Sequence, residues 1–318
     1  MGKYIAKYKV DDKVLWGIKK GDTFLPFINQ PNSLKELIEN QDNYVSKENV
    51  QEPGISINPL QLESPISAPT RIICQGLNYA THRKESALDE KSSGNVMFAK
   101  DDSSISGPYQ PIMRPKECEC LDYEVELGLI IKQDIKTPIE LTNDKLHEYV
   151  AGLIIANDMS PRDLQYKDDY AQWFKAKSAR TMLPLGPCIY LLEKQDFSLL
   201  YKMTVKLWVN NELRQSASTS QMIFKPAETI SEISTFMNLE VGDLLLTGTP
   251  GGVVIKAPSK FIQGIATWLL SNEKKVAALR KHKQNYLQDG DVVKTHIASE
   301  NGEIDLGFQE NTIIPYQY

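Results

Sequence analysis

The chain is poor in the residues that mark specialised classes. Its four cysteines in 318 residues (Cys74, Cys118, Cys120, Cys188) are too few and too scattered for a disulfide framework. Cys118 and Cys120 form C-x-C, not the C-x₂-C pair of a zinc site, so the expectation is reduced thiols in a cytoplasmic protein. No stretch reaches the roughly 18 apolar residues of a membrane span. Lys3 and Lys7 are not followed by an apolar core, which argues against a signal peptide. Ala6 stands where a myristoylation signal needs Ser or Thr. Basic excess is also missing: 36 Lys and Arg face 41 Asp and Glu, which disfavours a nucleic-acid binder working through a basic face. What remains is an ordinary globular composition, 41% hydrophobic and 24% charged, long enough for one large domain or a large and a small one.

Along the chain, residues 3–10 and 13–18 alternate like two strands around Asp11-Asp12, and 23–27 reads as a third. Ser33 caps a helical stretch that places Leu34, Leu37 and Ile38 on one side. The polar passage 40–69, with Pro53-Gly54, Pro59, Pro65 and Pro69, reads as a linker. This predicts a small N-terminal α/β module over 1–66 and a larger domain over 67–318. Beyond Arg71, β-like runs recur at 71–75, 123–131, 150–156, 188–192, 203–209, 244–247 and 292–296, with few helical stretches between them. That pattern predicts a mixed α/β, β-rich sandwich or roll. Residues 258–283 read as a helical insertion, with Ile265, Trp268, Leu269, Val276 and Leu279 on one side.

Glu124 and Glu126 sit in LDYEVELGLII. In a strand, residues two apart share a face, and two carboxylates side by side raise each other's pKa. An apolar strand tolerates the pair if a cation lies between them; a solvent-facing edge is the other reading. Asp158 ends the apolar run VAGLIIAND, where it joins the pair or caps a following helix. Three converging carboxylates make a hard oxygen site suited to Mg²⁺ or Mn²⁺ rather than zinc. His82 and Glu85 form H-x-x-E. On a helix they are neighbours, and the carboxylate would orient the imidazole as a base. Thr247–Gly252 (TGTPGG) ends another apolar run. Its glycines would let backbone N–H groups approach an oxyanion, or would simply turn the chain. Lys177, Arg162 and Gln165 add charge and donors to these segments, or lie on the surface.

Taken together, these passages resemble the fumarylacetoacetate hydrolase family. The matching runs are GLNYATHRKES (76–86), FAKDDSSISGP (98–108), DYEVELGLII (122–131), GLIIANDMSPRDLQ (152–165), KAKSARTMLPLGP (175–187), VNNELRQSASTSQMIF (209–224) and LEVGDLLLTGTPGGV (239–253). They fall in the family's order. Asn95 and Val254 depart from its usual proline and glycine, and 258–283 is longer than expected there.

The resemblance implies a fumarylacetoacetate hydrolase-like mixed β-sandwich roll, working as a homodimer in the cytoplasm. It implies Mg²⁺ or Mn²⁺ held by Glu124, Glu126 and Asp158, with Ca²⁺ as a stand-in in crystals. His82 and Glu85 match a water-activating pair, and Lys177 matches the lysine beside the metal. Thr181 matches a threonine supporting the metal shell, while Arg162, Gln165 and Thr249 match substrate-contacting positions. The expected activity is metal-dependent cleavage of a carbon–carbon bond in a fumarylacetoacetate- or acylpyruvate-type acid through a stabilised enolate. The same residues would serve an oxaloacetate decarboxylase or a hydroxy-dienedioate isomerase or decarboxylase of aromatic catabolism. A non-catalytic dicarboxylate-binding protein is the reading from a different class. In each case the partner is a small 2-oxo acid or dicarboxylate, not nucleic acid or membrane.

Overall fold

The computed structural model describes residues 2–86, 88–89, 94–168, 171–256 and 272–317. Among them, an eleven-stranded mixed sheet forms the centre. Its order runs from Ile55–Ser56 at one edge through Thr23–Pro26, Lys13–Lys20, Lys3–Val10, Ile189–Leu191, Val150–Asn157, Val125–Ile131, Leu244–Leu246 and Ile72–Gly76 to Val96–Lys100, with Leu62–Glu63 also pairing Lys3–Val10. A five-stranded sheet packs nearby, in the order Glu212–Ser218, Met203–Val209, Val292–Ser299, Asp305–Ile314, Ile112–Met113. The fold is thus mixed α/β and β-rich, as the recurring apolar runs predict.

Two kinds of strand account for the layering. Val125–Ile131 and Val150–Asn157 are buried at every position, so both faces are covered and the sequence is continuously apolar. Val292–Ser299 and Met203–Val209 alternate buried and half-buried residues, as strands with one covered face do. Leu127, Leu129, Leu153 and Ile155 meet Val205, Leu207, Val293 and Ile297 in one apolar cluster. On the other side, Ile130, Ile154 and Leu244 pack in a cluster with Trp16, Leu37 and Ile38. The predicted Ser33 cap is present, its side chain accepting Glu36 N–H at the start of the helix Leu34–Glu39.

The N-terminal strands form close to their predicted limits. They are not set apart from the rest, since Lys3, Tyr4 and Ile5 pair with Leu191, Tyr190 and Ile189. Nor is 40–69 a bare linker. Leu62–Glu63 returns to pair with Tyr8 and Lys7, and Ile55–Ser56 returns to Phe24 and Thr23. Such partners lie far apart in sequence, so local turn residues carry no trace of them. The predicted insertion falls partly outside the described residues, over 258–271; its later part contains the helix Asn272–Arg280. No helix among the described residues is long and apolar enough to cross a membrane.

Candidate metal centre and active site

The acidic residues meet because of strand register. In the antiparallel pair of Val125–Ile131 with Val150–Asn157, Val125 faces Asn157. One step further, Asp158 N–H donates to Glu124 O at 2.8 Å, placing the two residues opposite each other. Glu126, two positions along, shares their face. Carboxylate oxygens of Glu124, Glu126 and Asp158 lie within 4.8 Å of one another, and all three residues are buried. The solvent-facing reading of the glutamates is therefore wrong, because the strand has covered faces on both sides.

Three buried cations surround the acids. Lys177, at the end of the helix Trp173–Lys177, donates Nζ to Glu124 Oε2 at 2.8 Å and also to Asp158 Oδ2. Lys100 closes the strand Val96–Lys100 and donates to Asp158 Oδ1 at 2.7 Å and Met182 O at 3.1 Å. Arg162 opens the helix Arg162–Gln165; it bonds Asp122 Oδ2 through Nε at 3.0 Å and Glu124 Oε1 through Nη2 at 2.5 Å. Burial works against the charge on Lys177, but Asp158 and Glu124 outweigh it and keep the amine protonated. Burial likewise opposes ionisation of Glu124, yet Lys177 and Arg162 hold its carboxyl well below the usual range.

Glu126 behaves oppositely. Burial, then the charges of Asp158 and Glu124, push its carboxyl well above the ordinary value, although Gly248 N–H reaches Oε2 at 2.8 Å. Counting Asp122, and with Glu126 ionised, the cluster would set four carboxylates against three cations, and the one negative charge in excess is the one that the raised Glu126 carboxyl resists. A divalent cation beside Glu126 would reverse that deficit. The donor set is all oxygen, so the residues fit Mg²⁺ or Mn²⁺.

The other predicted residues divide. His82 is buried and its Nδ1 has no hydrogen-bond partner. Burial lowers its pKa, outweighing the pull of Glu124, so the imidazole is neutral at neutral pH. No hydrogen bond joins it to Glu85, whose Oε2 accepts Gly252 N–H at 2.9 Å where the glycine loop meets the helix Ala80–Glu85. Gln165 is buried beside Arg162, with Oε1 unpartnered. The Thr249 hydroxyl donates to Val125 O at 3.0 Å and accepts Gln215 Nε2 at 2.8 Å, tying the loop to the strand between the two glutamates. The Thr181 hydroxyl accepts Met113 N–H at 2.8 Å rather than facing the acids. The turn it occupies, at φ 65°, delivers the neighbouring Met182 carbonyl to Lys100.

Lys100, Asp122 and Gln215 lie within the runs that carry the resemblance, yet the sequence reading gives them no role. Lys100 had a signal, a lysine closing the apolar run VMFAK. Gln215 had none, since it lies in a polar hairpin strand whose buried face only the pairing defines.

Fold and site together define an enzyme scaffold with a buried cluster of carboxylates, able to hold a cation, at the end of a central strand pair. Residues 71–314 match the model of the fumarylacetoacetate (FAA) hydrolase C-terminal family. The chain belongs to this family. It is 34% identical over 252 residues to rat (Rattus norvegicus) oxaloacetate tautomerase Fahd2a, mitochondrial, covering 78% of each chain. Its structure is similar to that of a fumarylacetoacetate hydrolase from psychrophilic Exiguobacterium antarcticum (TM-score 0.73, 30% identity, 98% of this chain and 99% of that one). It is also similar to a 5-carboxymethyl-2-hydroxymuconate delta-isomerase from Mycobacterium smegmatis (TM-score 0.67, 25% identity, 98% and 99%).

Proposed function

We propose that this chain moves a proton between carbon and oxygen of a small 2-oxo dicarboxylic acid, interconverting its keto and enol forms. Oxaloacetate is the simplest such substrate, and the rat relative is named for that reaction. The observation that carries the reading is the pairing of three close, buried carboxylates with an imidazole that has no bond to Glu85. A divalent cation held by Glu124, Glu126 and Asp158 supplies Lewis acidity toward adjacent carbonyl and carboxylate oxygens. With that cation the cluster carries a net positive charge, which favours a dianionic substrate. Lys177, held protonated, stabilises negative charge developing on the carbonyl oxygen. Arg162 and Gln165 are the donors for the remote carboxylate. His82, neutral and with Nδ1 unengaged, takes the proton from carbon and returns it.

The test is the decay of enol absorbance of oxaloacetate. Wild-type protein with Mg²⁺ accelerates it, EDTA abolishes the effect, and His82→Ala reduces it by about 10²-fold or more. A wild-type rate equal to the uncatalysed rate overturns the reading.

A second reading is carbon–carbon hydrolysis of an acylpyruvate, favoured by the structural likeness to the Exiguobacterium hydrolase. It requires Glu85 to turn its other carboxylate oxygen to His82 and so orient the imidazole toward water. Release of pyruvate from acylpyruvates separates it from tautomerisation, and release of CO₂ from oxaloacetate separates decarboxylation. The proposal includes a homodimer, checked by light scattering, and a reducing compartment suited to the four buried, unpaired cysteines.

A further inference from the structure

The two flanks of the inserted passage converge on one short helix. On the first flank, Val254 and Ile255 donate their N–H groups to Asp122 Oδ1 and Oδ2 at 3.0 and 3.1 Å. Asp122 is the carboxylate that also holds Arg162 Nε. On the second flank, Arg280 ends the helix Asn272–Arg280. It donates Nε and Nη2 to Asp163 Oδ2 at 3.0 and 2.9 Å, and Nη2 also reaches Glu117 O at 2.9 Å. Asp163 directly follows Arg162 in the chain. Its Oδ2 further accepts Glu119 N–H at 2.9 Å, and Arg162 N–H donates to Cys120 O at 2.9 Å. The two acidic anchors of Arg162 and its helix, Asp122 and Asp163, are therefore held from around the insertion, one by the residues that lead into it and the other by its last helix.

We propose that Arg280 is a positioning residue for substrate capture. Through Asp163 it fixes the helix Arg162–Gln165, and so the guanidinium that closes on Glu124 and the amide of Gln165. The proposal rests on the reading of the site given above. The Arg280 side chain is 35% exposed, so its own burial adds little to folding. Asp163 is fully buried, however, and its Oδ1 has no partner. Arg280 therefore supplies the balancing charge for a carboxylate that otherwise has backbone N–H support from Glu119. A helix of four residues has little stiffness of its own. Small displacements of such a helix cost binding steeply when its side chains must meet a planar substrate.

The experiment uses the full chain and two probes, Mg²⁺ alone and oxalate in saturating Mg²⁺, oxalate being a planar dianion that mimics an enolised 2-oxo acid. Calorimetry compares wild type, R280A and R280K, with thermal melting alongside. Expected is an oxalate Kd about tenfold weaker in R280A, partly restored in R280K, with Mg²⁺ affinity within about twofold throughout. With a turned-over 2-oxo acid, KM rises about tenfold in R280A while kcat changes far less. Oxalate binding in R280A equal to wild type overturns the proposal. So does a parallel loss of Mg²⁺ affinity, oxalate affinity and melting temperature, which marks a general structural prop. If wild type binds Mg²⁺ and oxalate but turns over no 2-oxo acid, the proposed function fails, and the role of Arg280 is still decided by the oxalate Kd.

Discussion

The carboxylate of Glu85 accepts the N–H of Gly252 at 2.9 Å, although His82 lies one helical turn before it. The glycine loop has taken the group that H-x-x-E spacing offers to the imidazole. For Gly252 this position is tightly fitted: φ is +105°, and a Cβ would lie 2.1 Å from Arg214 O.

Glu85→Gln keeps an oxygen acceptor for Gly252 and is expected to leave the tautomerisation rate within about threefold of wild type. An activated imidazole–carboxylate pair would instead lose roughly 10²–10⁴-fold. Stopped-flow measurement of enol decay decides between these outcomes. A large loss in Glu85→Gln would instead assign the carboxylate a part in the proton transfer itself.

The two strand glutamates are expected to respond in opposite ways to neutralisation. Glu126→Gln removes a charge that burial and its acidic neighbours disfavour, so the metal-free protein keeps or gains stability while Mg²⁺-induced stabilisation disappears. Glu124→Gln removes one of the two carboxylate partners of both Arg162 and Lys177 and costs about 3 kcal/mol. Urea melts with and without Mg²⁺ read both; equal losses in the two variants would contradict this account of their charge balance.

Gly248→Ala should damage the site from the loop side. Gly248 has φ +83°, and a Cβ there would lie 2.8 Å from Asn78 Cβ. Asn78 cannot easily yield, since its side chain bonds Thr247 O and both backbone groups of Phe224. The expected cost is about 2 kcal/mol or more. A weaker Mg²⁺ affinity should accompany it as Gly248 N–H leaves Glu126. Unchanged melting and unchanged Mg²⁺ binding would refute the prediction.

Lys7 gives the protein a pH dependence far from the acids. Burial pushes its amine down to about 8, against a partial pull from Glu63. The amine lies over the Trp16 ring and donates to Ser67 Oγ. The unfolded chain holds the proton up to about 10.5, so it binds more protons than the folded chain between about 8 and 10.5. Stability therefore rises with pH across that interval, and the full penalty is present below it. Because Lys7 remains partly open to solvent, Lys7→Met should gain roughly 1–2 kcal/mol at pH 7 and little at pH 10. Urea denaturation at the two pH values measures this; a gain that does not depend on pH would point to packing alone.

The carboxylate centre was legible in the sequence because its spacing follows from strand geometry. Glu124 and Glu126 are two apart, and Asp158 ends the run that pairs with theirs. The first three strands and the Ser33 cap were legible for the same local reason. Non-local pairing was not legible. Nothing in Leu62–Glu63 shows that it returns to Tyr8 and Lys7, and nothing in Gln215 shows that it supports Thr249 and Val125 N–H. The expected bond between His82 and Glu85 is absent, and one oxygen of that carboxylate instead takes a donor brought in from residue 252. Helix spacing records which groups can meet but not which rival reaches one of them first.

The family match starts at residue 71, which makes 71–318 a tempting expression fragment. Cutting there would remove the strand that covers Ile189–Leu191, whose other neighbour is Val150–Asn157. The shortened protein would carry a raw, apolar sheet edge one strand from the acidic centre and would tend to clump with copies of itself. A cloning plan that wants a well-behaved catalyst should keep the first 66 residues.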